Sequence, residues 1–505
     1  MSKINWDAIR SGSAFWERWN TTTIFLGCLA IAFGFRLYGF HAVKILNNDT
    51  LYYLEQVSVI QNAGVWQGIR DIIHDSARSP FYPLMIHMLD TVLKDPLASA
   101  MGVSFIFGLL CVVPFFVLAF RLADRRHALL AVLLVAVNSY YIRYSILVVR
   151  ETAALFFCLS AGAVVLVPGL SKVLRGCLFG LLVACAALLR PEYIVFYMVT
   201  AIAYIAVKGH WRWVFLIAGV GSAFILLSYL CDHHPVFGLF HRLIGSRVAF
   251  QLSKILGTGS ILVGILLIVG KGFLAFLHFL SDTMALMNPL AGVLSLLGVA
   301  SFMRRWRDVS NFQRLLIVAV FSSLLIYSAW AALGDTFTKR WMILTASLLF
   351  LFVGYGIEAV GNRFPAHRNW IAVVMVALLL SSTVIHTLTY QVGGKRVGLK
   401  QAGAYISREW QGPSRPVILT DEPIVALYAR GEVLRYNMED LSVSLGFLTN
   451  AARPDYLIVK EVDGDPALPD IAPLIDKGIL VRAAAFPYGS RHGKSRHLGV
   501  YETRF

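Results

Sequence analysis

Apolar runs of about 20 residues, the length that crosses a bilayer as a helix, recur through the first 390 positions of the chain. Their polar flanks place spans near 21–39, 98–120, 127–142, 146–167, 174–189, 192–207, 212–231, 283–303, 314–333, 341–360 and 369–390. The pattern predicts a polytopic α-helical membrane protein of about 11 spans. The run after Asn20 reaches Phe40 with no small-residue cleavage site, so it is expected to stay as the first span. Residues 256–280 are apolar but broken by Lys271 and several glycines, which reads as an interfacial or re-entrant segment. An extra pair of spans there would keep the same orientation.

From residue 391 the period shortens. "PVILTD" (416–421), "DYLIVKE" (455–461), "GILVRAAAF" and "HLGVYETR" read as strands, while "GLKQAGAYISREW" (398–410) and "PIVALYARG" (423–431) read as helices. The expected organisation is a membrane domain, 1–390, followed by a small C-terminal α/β domain, 391–505.

Composition agrees with this division: 57% of residues are hydrophobic and 15% charged, too apolar for a soluble chain of 505 residues. The formal charge of +16 lies almost wholly in the membrane part, because the tail holds 15 Lys and Arg against 13 Asp and Glu. The basic clusters "RLADRRH" (121–127), "SKVLRG" (171–176), "KGHWRW" (208–213), "RRWRD" (304–308) and "RFPAHR" (363–368) fall on alternate connections. Lys3, Arg10 and Arg18 precede the first span. By the positive-inside rule these segments are cytoplasmic. The loops 40–97 and 232–282 and the tail are then extracytoplasmic. Charge spread between spans argues against nucleic-acid binding. The six cysteines lie in or beside apolar segments with no CxxC spacing, so neither a disulfide framework nor a zinc site is expected.

Against that topology, some cations stand on the wrong side. Arg78, Arg143, Arg150, Arg190, Lys339 and Arg340 all map to outer loops or outer span ends. Some have local ion-pair partners, such as Glu151 beside Arg150 and Glu192 near Arg190. Collectively they suggest a phosphate or pyrophosphate site, which the planar fork of arginine suits. Asp49, Glu151, Glu192 and Asp335 map to the same side. A carboxylate beside such a cluster can deprotonate a hydroxyl acceptor while the cations stabilise a departing phosphate. In "NNDTLYYLEQ" (47–56), Asn47 or Asn48 can cap a helix with Asp49 in its first turn, sharing a face with Tyr52, Tyr53 and Gln56.

These motifs together resemble the GT-C glycosyltransferases, especially the protein-mannosyltransferase and aminoarabinose-transferase group. "NNDTLYYLEQVSVI" and "RSPFYPLMIHML" are similar to the first outer loop of that group, the second carrying a basic-x-Pro-x-Tyr element that ends on Tyr82. "YSILVVRETAALFF", "LLRPEY" and "FTKRWMILTASLLFLFVGYGIEAV" resemble later motifs, and the tail resembles the periplasmic domain of bacterial members. The resemblance implies a multi-pass protein of the bacterial inner membrane that performs an inverting transfer on its outer face. Its partners would be a polyprenyl-phosphate sugar donor and a hydroxyl-bearing acceptor of the cell envelope. Asp49 would be the base, Glu151 would be the second catalytic acid if one is required, and Tyr52, Tyr53 and Tyr82 would line the substrate. The family's acidic pair is here Asp49–Thr50, which leaves metal dependence open. No cofactor is called for, and a divalent cation is the one candidate. A transporter or flippase of a lipid-linked sugar is the alternative, but no internal repeat supports it. "CDHHP" (231–235) offers Asp232, His233 and His234, which adjacent in sequence do not share a helix face; no metal site is assigned. "SRHGKSRHLG" (490–499) reads as a basic hairpin.

Overall fold

The computed structural model describes residues 21–43, 48–75, 79–190, 192–207, 261–333, 342–389, 394–420, 422, 424–435, 454–462, 471–491 and 494–503. The expected span 212–231 and the Asp232–His234 cluster lie outside these. The chain divides into two compact units, residues 1–41 with 56–389, and residues 42–55 with 390–505.

The first unit is helical. Four of its helices are long and apolar enough to cross a membrane, beginning with Thr21–Phe40, Pro96–Leu122 and Lys172–Leu189 and ending with Pro365–Leu388. Three bent pairs raise the number to seven among the described residues if each is one span. The segment 40–97, expected as an outer loop, holds the helices Asn48–Ala63, Val65–Asp75 and Phe81–Leu93. Buried Asp90 of Phe81–Leu93 accepts from Gln61 Nε2 of Asn48–Ala63 at 2.7 Å and from Ser99 Oγ of Pro96–Leu110 at 3.3 Å.

Two asparagines break spans that the hydropathy reads as continuous. Helix Arg125–Val137 bends by 47° into Ser139–Ile146 at Asn138. The Asn138 side chain accepts from the backbone N–H groups of Tyr140 and Tyr141, at 3.0 and 3.3 Å. Those two donors would otherwise bond the carbonyls of Ala136 and Val137 four residues back, so both carbonyls are orphaned. Other helices supply the missing partners. Arg36 Nη1 donates to Ala136 O at 3.2 Å, and Thr387 Oγ1 to Val137 O at 2.7 Å.

The second break is sharper. Phe273–Met287 meets Pro289–Arg304 at 118°. Proline cannot continue the preceding helix, and Asn288 adopts φ +88°, a conformation that asparagine tolerates better than most residues. Its side chain accepts from Leu290 N at 3.1 Å, which frees the Leu286 carbonyl. Asn138 Nδ2 donates to that carbonyl at 3.1 Å, so the residue that breaks the first helix caps the carbonyl freed at the second. The last membrane helix, Arg368–Thr389, completes the knot: Asn288 Nδ2 donates to Ser382 Oγ at 2.7 Å, and His386 Nδ1 bonds Ser139 Oγ at 2.7 Å.

The second unit carries a five-stranded sheet in the order β2-β1-β3-β5-β4: β1 Val417–Thr420, β2 Glu432–Arg435, β3 Tyr456–Val462, β4 Leu480–Arg491 and β5 Lys494–Thr503. Strands β2, β1 and β3 are parallel, while β5 pairs antiparallel with β3 and β4. Leu419, Leu457, Val459, Ile471, Leu480 and Tyr501 form its core. Strand β2 escaped the hydropathy pattern because it is four residues long with charged ends. Gly431 precedes it because a Cβ there would stand 2.5 Å from the Pro416 carbonyl. The basic hairpin 490–499 is the end of the β4–β5 pair.

Candidate active site

Three ionisable side chains meet at two helix starts in the first unit. Arg190 follows Lys172–Leu189 and is extended, with φ −146° and ψ 97°, as a residue before proline prefers. Its guanidinium binds Glu151 through Nη2 and Glu192 Oε1 through Nη1, the latter at 3.2 Å. Glu151 opens the helix Glu151–Leu166 and Glu192 opens Glu192–Val207. Each carboxylate therefore sits in a first turn, where the helix dipole favours negative charge, and Arg190 sits at a C-terminus that favours positive charge. Exposure is 3% for Glu151 and 7% for both Arg190 and Glu192. Burial alone would lower the pKa of Arg190, but the charges of Glu151 and Glu192 outweigh it and hold the guanidinium above its usual range. One cation against two carboxylates leaves the trio formally anionic. The Glu192 Oε2 atom is buried with no hydrogen-bond partner among the described residues.

Placed on the structure, the predicted site residues part company. Arg190, expected on a donor phosphate, is instead engaged by two carboxylates. Glu151 takes Arg190 rather than its neighbour Arg150. Arg150 precedes the Glu151 helix, half-buried and with no ion pair to a described residue. Arg143 lies half-buried in Ser139–Ile146. Tyr82, expected to line substrate, is 1% exposed and bonds Ser104 Oγ through its hydroxyl at 2.6 Å. Ser104 in turn accepts from Val149 N at 3.2 Å, so Tyr82 pins the turn that carries Arg150. Arg78, Lys339, Arg340 and Asp335 lie outside the described residues.

Asp49 belongs to the second unit, in the first turn of Asn48–Ala63 and half-buried. The face it was expected to share divides. Tyr53 and Gln56 turn inward with Thr50, Val57 and Ile60, while Asp49 and Tyr52 stay half-exposed. The rings of Tyr52 and Tyr53 meet edge-on, centroids 5.8 Å apart.

Arg36 was overlooked in the hydropathy pattern. It is fully buried in Thr21–Val43 and donates to Ser145 Oγ at 3.1 Å, Ala32 O at 3.1 Å and Ala136 O. Its place in the apolar run "AFGFRLYGF" was the available signal, since a charge within a span is costly and has a reason. Its reason is the orphaned end of the broken helix.

Solved structures of similar architecture connect this arrangement to known proteins. ArnT from Cupriavidus metallidurans, bound to undecaprenyl phosphate, superposes with a TM-score of 0.56 at 14% identity, covering 95% of this chain and 97% of its own. The same protein in the apo state gives 0.56 at 13%, covering 95% and 98%. The archaeal oligosaccharyltransferase AglB from Archaeoglobus fulgidus, with an inhibitory peptide and a dolichol-phosphate, gives 0.53 at 13%, covering 87% and 69%. The chain shares the fold of ArnT and AglB. No family model and no curated protein sequence matches it. The likeness therefore rests on architecture.

Proposed function

We propose that the protein transfers a sugar from a polyprenyl-phosphate-linked donor to a hydroxyl acceptor of the cell envelope, on the outer face of the bacterial cytoplasmic membrane. The observation that carries this reading is the fold shared with ArnT and AglB, whose solved structures hold undecaprenyl phosphate and dolichol-phosphate. AglB is an oligosaccharyltransferase by name, which favours group transfer over the transport of a lipid-linked sugar.

In this reading Asp49 takes the proton of the acceptor hydroxyl as its oxygen attacks the anomeric carbon. The bond from that carbon to the donor phosphate oxygen breaks, and configuration inverts. Charge growing on the departing polyprenyl phosphate falls to Arg150 and Arg143, with Arg78, Lys339 and Arg340 as further candidates. Arg190 takes a different part from the one its position in the sequence suggested. Held between Glu151 and Glu192, it positions Glu151, with its guanidinium engaged by carboxylates rather than by a phosphate. Purified protein incubated with a panel of polyprenyl-phosphate sugars tests the reading. Consumption of one donor with release of polyprenyl phosphate supports it, and inertness toward the whole panel with an acceptor extract present overturns it.

A further inference from the structure

A cavity of about 340 Å³ lies inside the first unit, between the helices Val112–Leu122, Glu151–Leu166, Lys172–Leu189, Glu192–Val207, Asn311–Leu333 and Ile343–Phe350. Its wall is hydrocarbon from Leu118, Leu159, Phe196, Leu316 and Leu348, interrupted by few polar groups. Tyr197 donates its hydroxyl to the Cys158 carbonyl, which turns its ring into part of the wall. Val165 also lines it and is 36% exposed, so the cavity is reached from the helix surface.

Its position along the helices is informative. On Glu151–Leu166 the lining residues run from Cys158 to Leu166, about 11 to 22 Å along the axis from Glu151. On Glu192–Val207 they run from Phe196 to Ile205. The cavity thus leads away from the carboxylate trio toward the opposite helix ends. Those ends carry the basic clusters 121–127, 171–176 and 304–308, the cytoplasmic side by the positive-inside rule.

A cation stands at that mouth. Arg175 Nη2 donates to Val167 O at 3.1 Å and Leu170 O at 3.3 Å, holding its guanidinium at the end of the helix whose Leu166 lines the cavity. Phe179, another lining residue, is one turn further along the same face of the Arg175 helix. Arg175 Nε is buried and has no hydrogen-bond partner among the described residues. Lys172, one turn before it, is exposed.

We propose that this cavity seats an acyl chain of an anionic phospholipid from the cytoplasmic leaflet, with Arg175 and Lys172 on its phosphate. The walls match hydrocarbon, and the cations stand where a headgroup would lie if the chain entered from the cytoplasmic side. A donor whose phosphate sits at the outer helix ends would present its charge at the far end of the bundle. The inference needs the bundle to cross the bilayer in the stated orientation and does not need the protein to be a transferase.

The test uses the full-length protein in nanodiscs containing phosphatidylglycerol with a photoreactive diazirine on the acyl chain, followed by peptide mapping of the adducts. Adducts concentrated on Leu118, Val165, Leu166 and Tyr204 are expected, with at least fivefold less labelling from the phosphatidylcholine analogue. Gly162 supplies a filling variant: a Cβ there meets only Leu118 at 3.5 and 3.9 Å and the Tyr197 hydroxyl at 3.9 Å, which is ordinary contact. Gly162→Leu should cut cavity adducts at least tenfold, and Lys172→Gln with Arg175→Gln should erase the headgroup preference. Adducts scattered over the outer helix surface in wild-type protein would overturn the proposal whatever the variants do. So would equal labelling by both headgroups, or displacement of the probe by undecaprenyl phosphate but not by phosphatidylglycerol. Topology is read separately by impermeant thiol labelling at residues 121–127 and in the tail. A reversed result there removes this inference without touching donor consumption.

Discussion

Replacing Arg190 with methionine removes the cation from between two buried carboxylates while keeping much of its length. Glu151 and Glu192 are 3% and 7% exposed, so water reaches neither freely. Breaking a buried ion pair by deleting one partner costs about 3–5 kcal/mol, mostly because the remaining charge is left uncompensated. Both acids lose this partner at once, so a loss within that range is expected, a factor of at least about a hundred in the folding equilibrium. Reversible unfolding in mixed detergent and SDS micelles, followed by circular dichroism, measures the loss. Arg190→Met combined with Glu151→Gln and Glu192→Gln should recover most of it. A loss under about 1 kcal/mol, or no rescue by the double amide, would refute the claim that this trio is one electrostatic unit.

Other perturbations test neighbouring parts. Arg36→Met leaves the Ala136 carbonyl without its side-chain donor and should cost about 1–3 kcal/mol in the same unfolding assay; unchanged stability would mean the broken helix end has another donor. Gly108→Ala puts a Cβ 2.0 Å from Ser145 Oγ, so the helices must part or Ser145 must turn, and a loss of about 1–3 kcal/mol is expected. Arg150→Ala should weaken binding of sugar-free polyprenyl phosphate at least tenfold while leaving unfolding unchanged, since Arg150 has no ion pair to a described residue; unaltered affinity would take it off the phosphate.

How much of this was legible beforehand depended on the kind of signal. Helices such as Lys172–Leu189 and Glu192–Val207 follow directly from apolar runs with clear flanks, and their ends were read within a few residues. The two breaks were not read, although "VNSYY" and "MNPL" carry their cause: a single asparagine inside a hydrophobic run barely moves a windowed hydropathy, yet its side chain outcompetes the backbone ladder. Within 40–97 a helix with Asp49 in its first turn is legible in the sequence and is present as Asn48–Ala63, whereas the polar content hides the amphipathic helix Val65–Asp75, where Trp66 is exposed and Ile72 is buried. At the site, the sequence placed Glu151, Arg190 and Glu192 on one side of the membrane but assigned Arg190 to a phosphate. Which acid an arginine prefers is decided in three dimensions, by two helix starts meeting one helix end. Glu151 and Arg190 are 39 residues apart, and no local pattern links them.

The central claim is that Asp49 acts as the base of a polyprenyl-phosphate-dependent sugar transfer. The most direct measurement compares wild-type and Asp49→Asn protein for consumption of the accepted polyprenyl-phosphate sugar, alongside binding of sugar-free polyprenyl phosphate. Asparagine keeps the shape and removes the basicity, so turnover should fall at least roughly a hundredfold while phosphate affinity stays within about twofold. Near-wild-type turnover in a correctly inserted, stably folded Asp49→Asn protein would contradict the account.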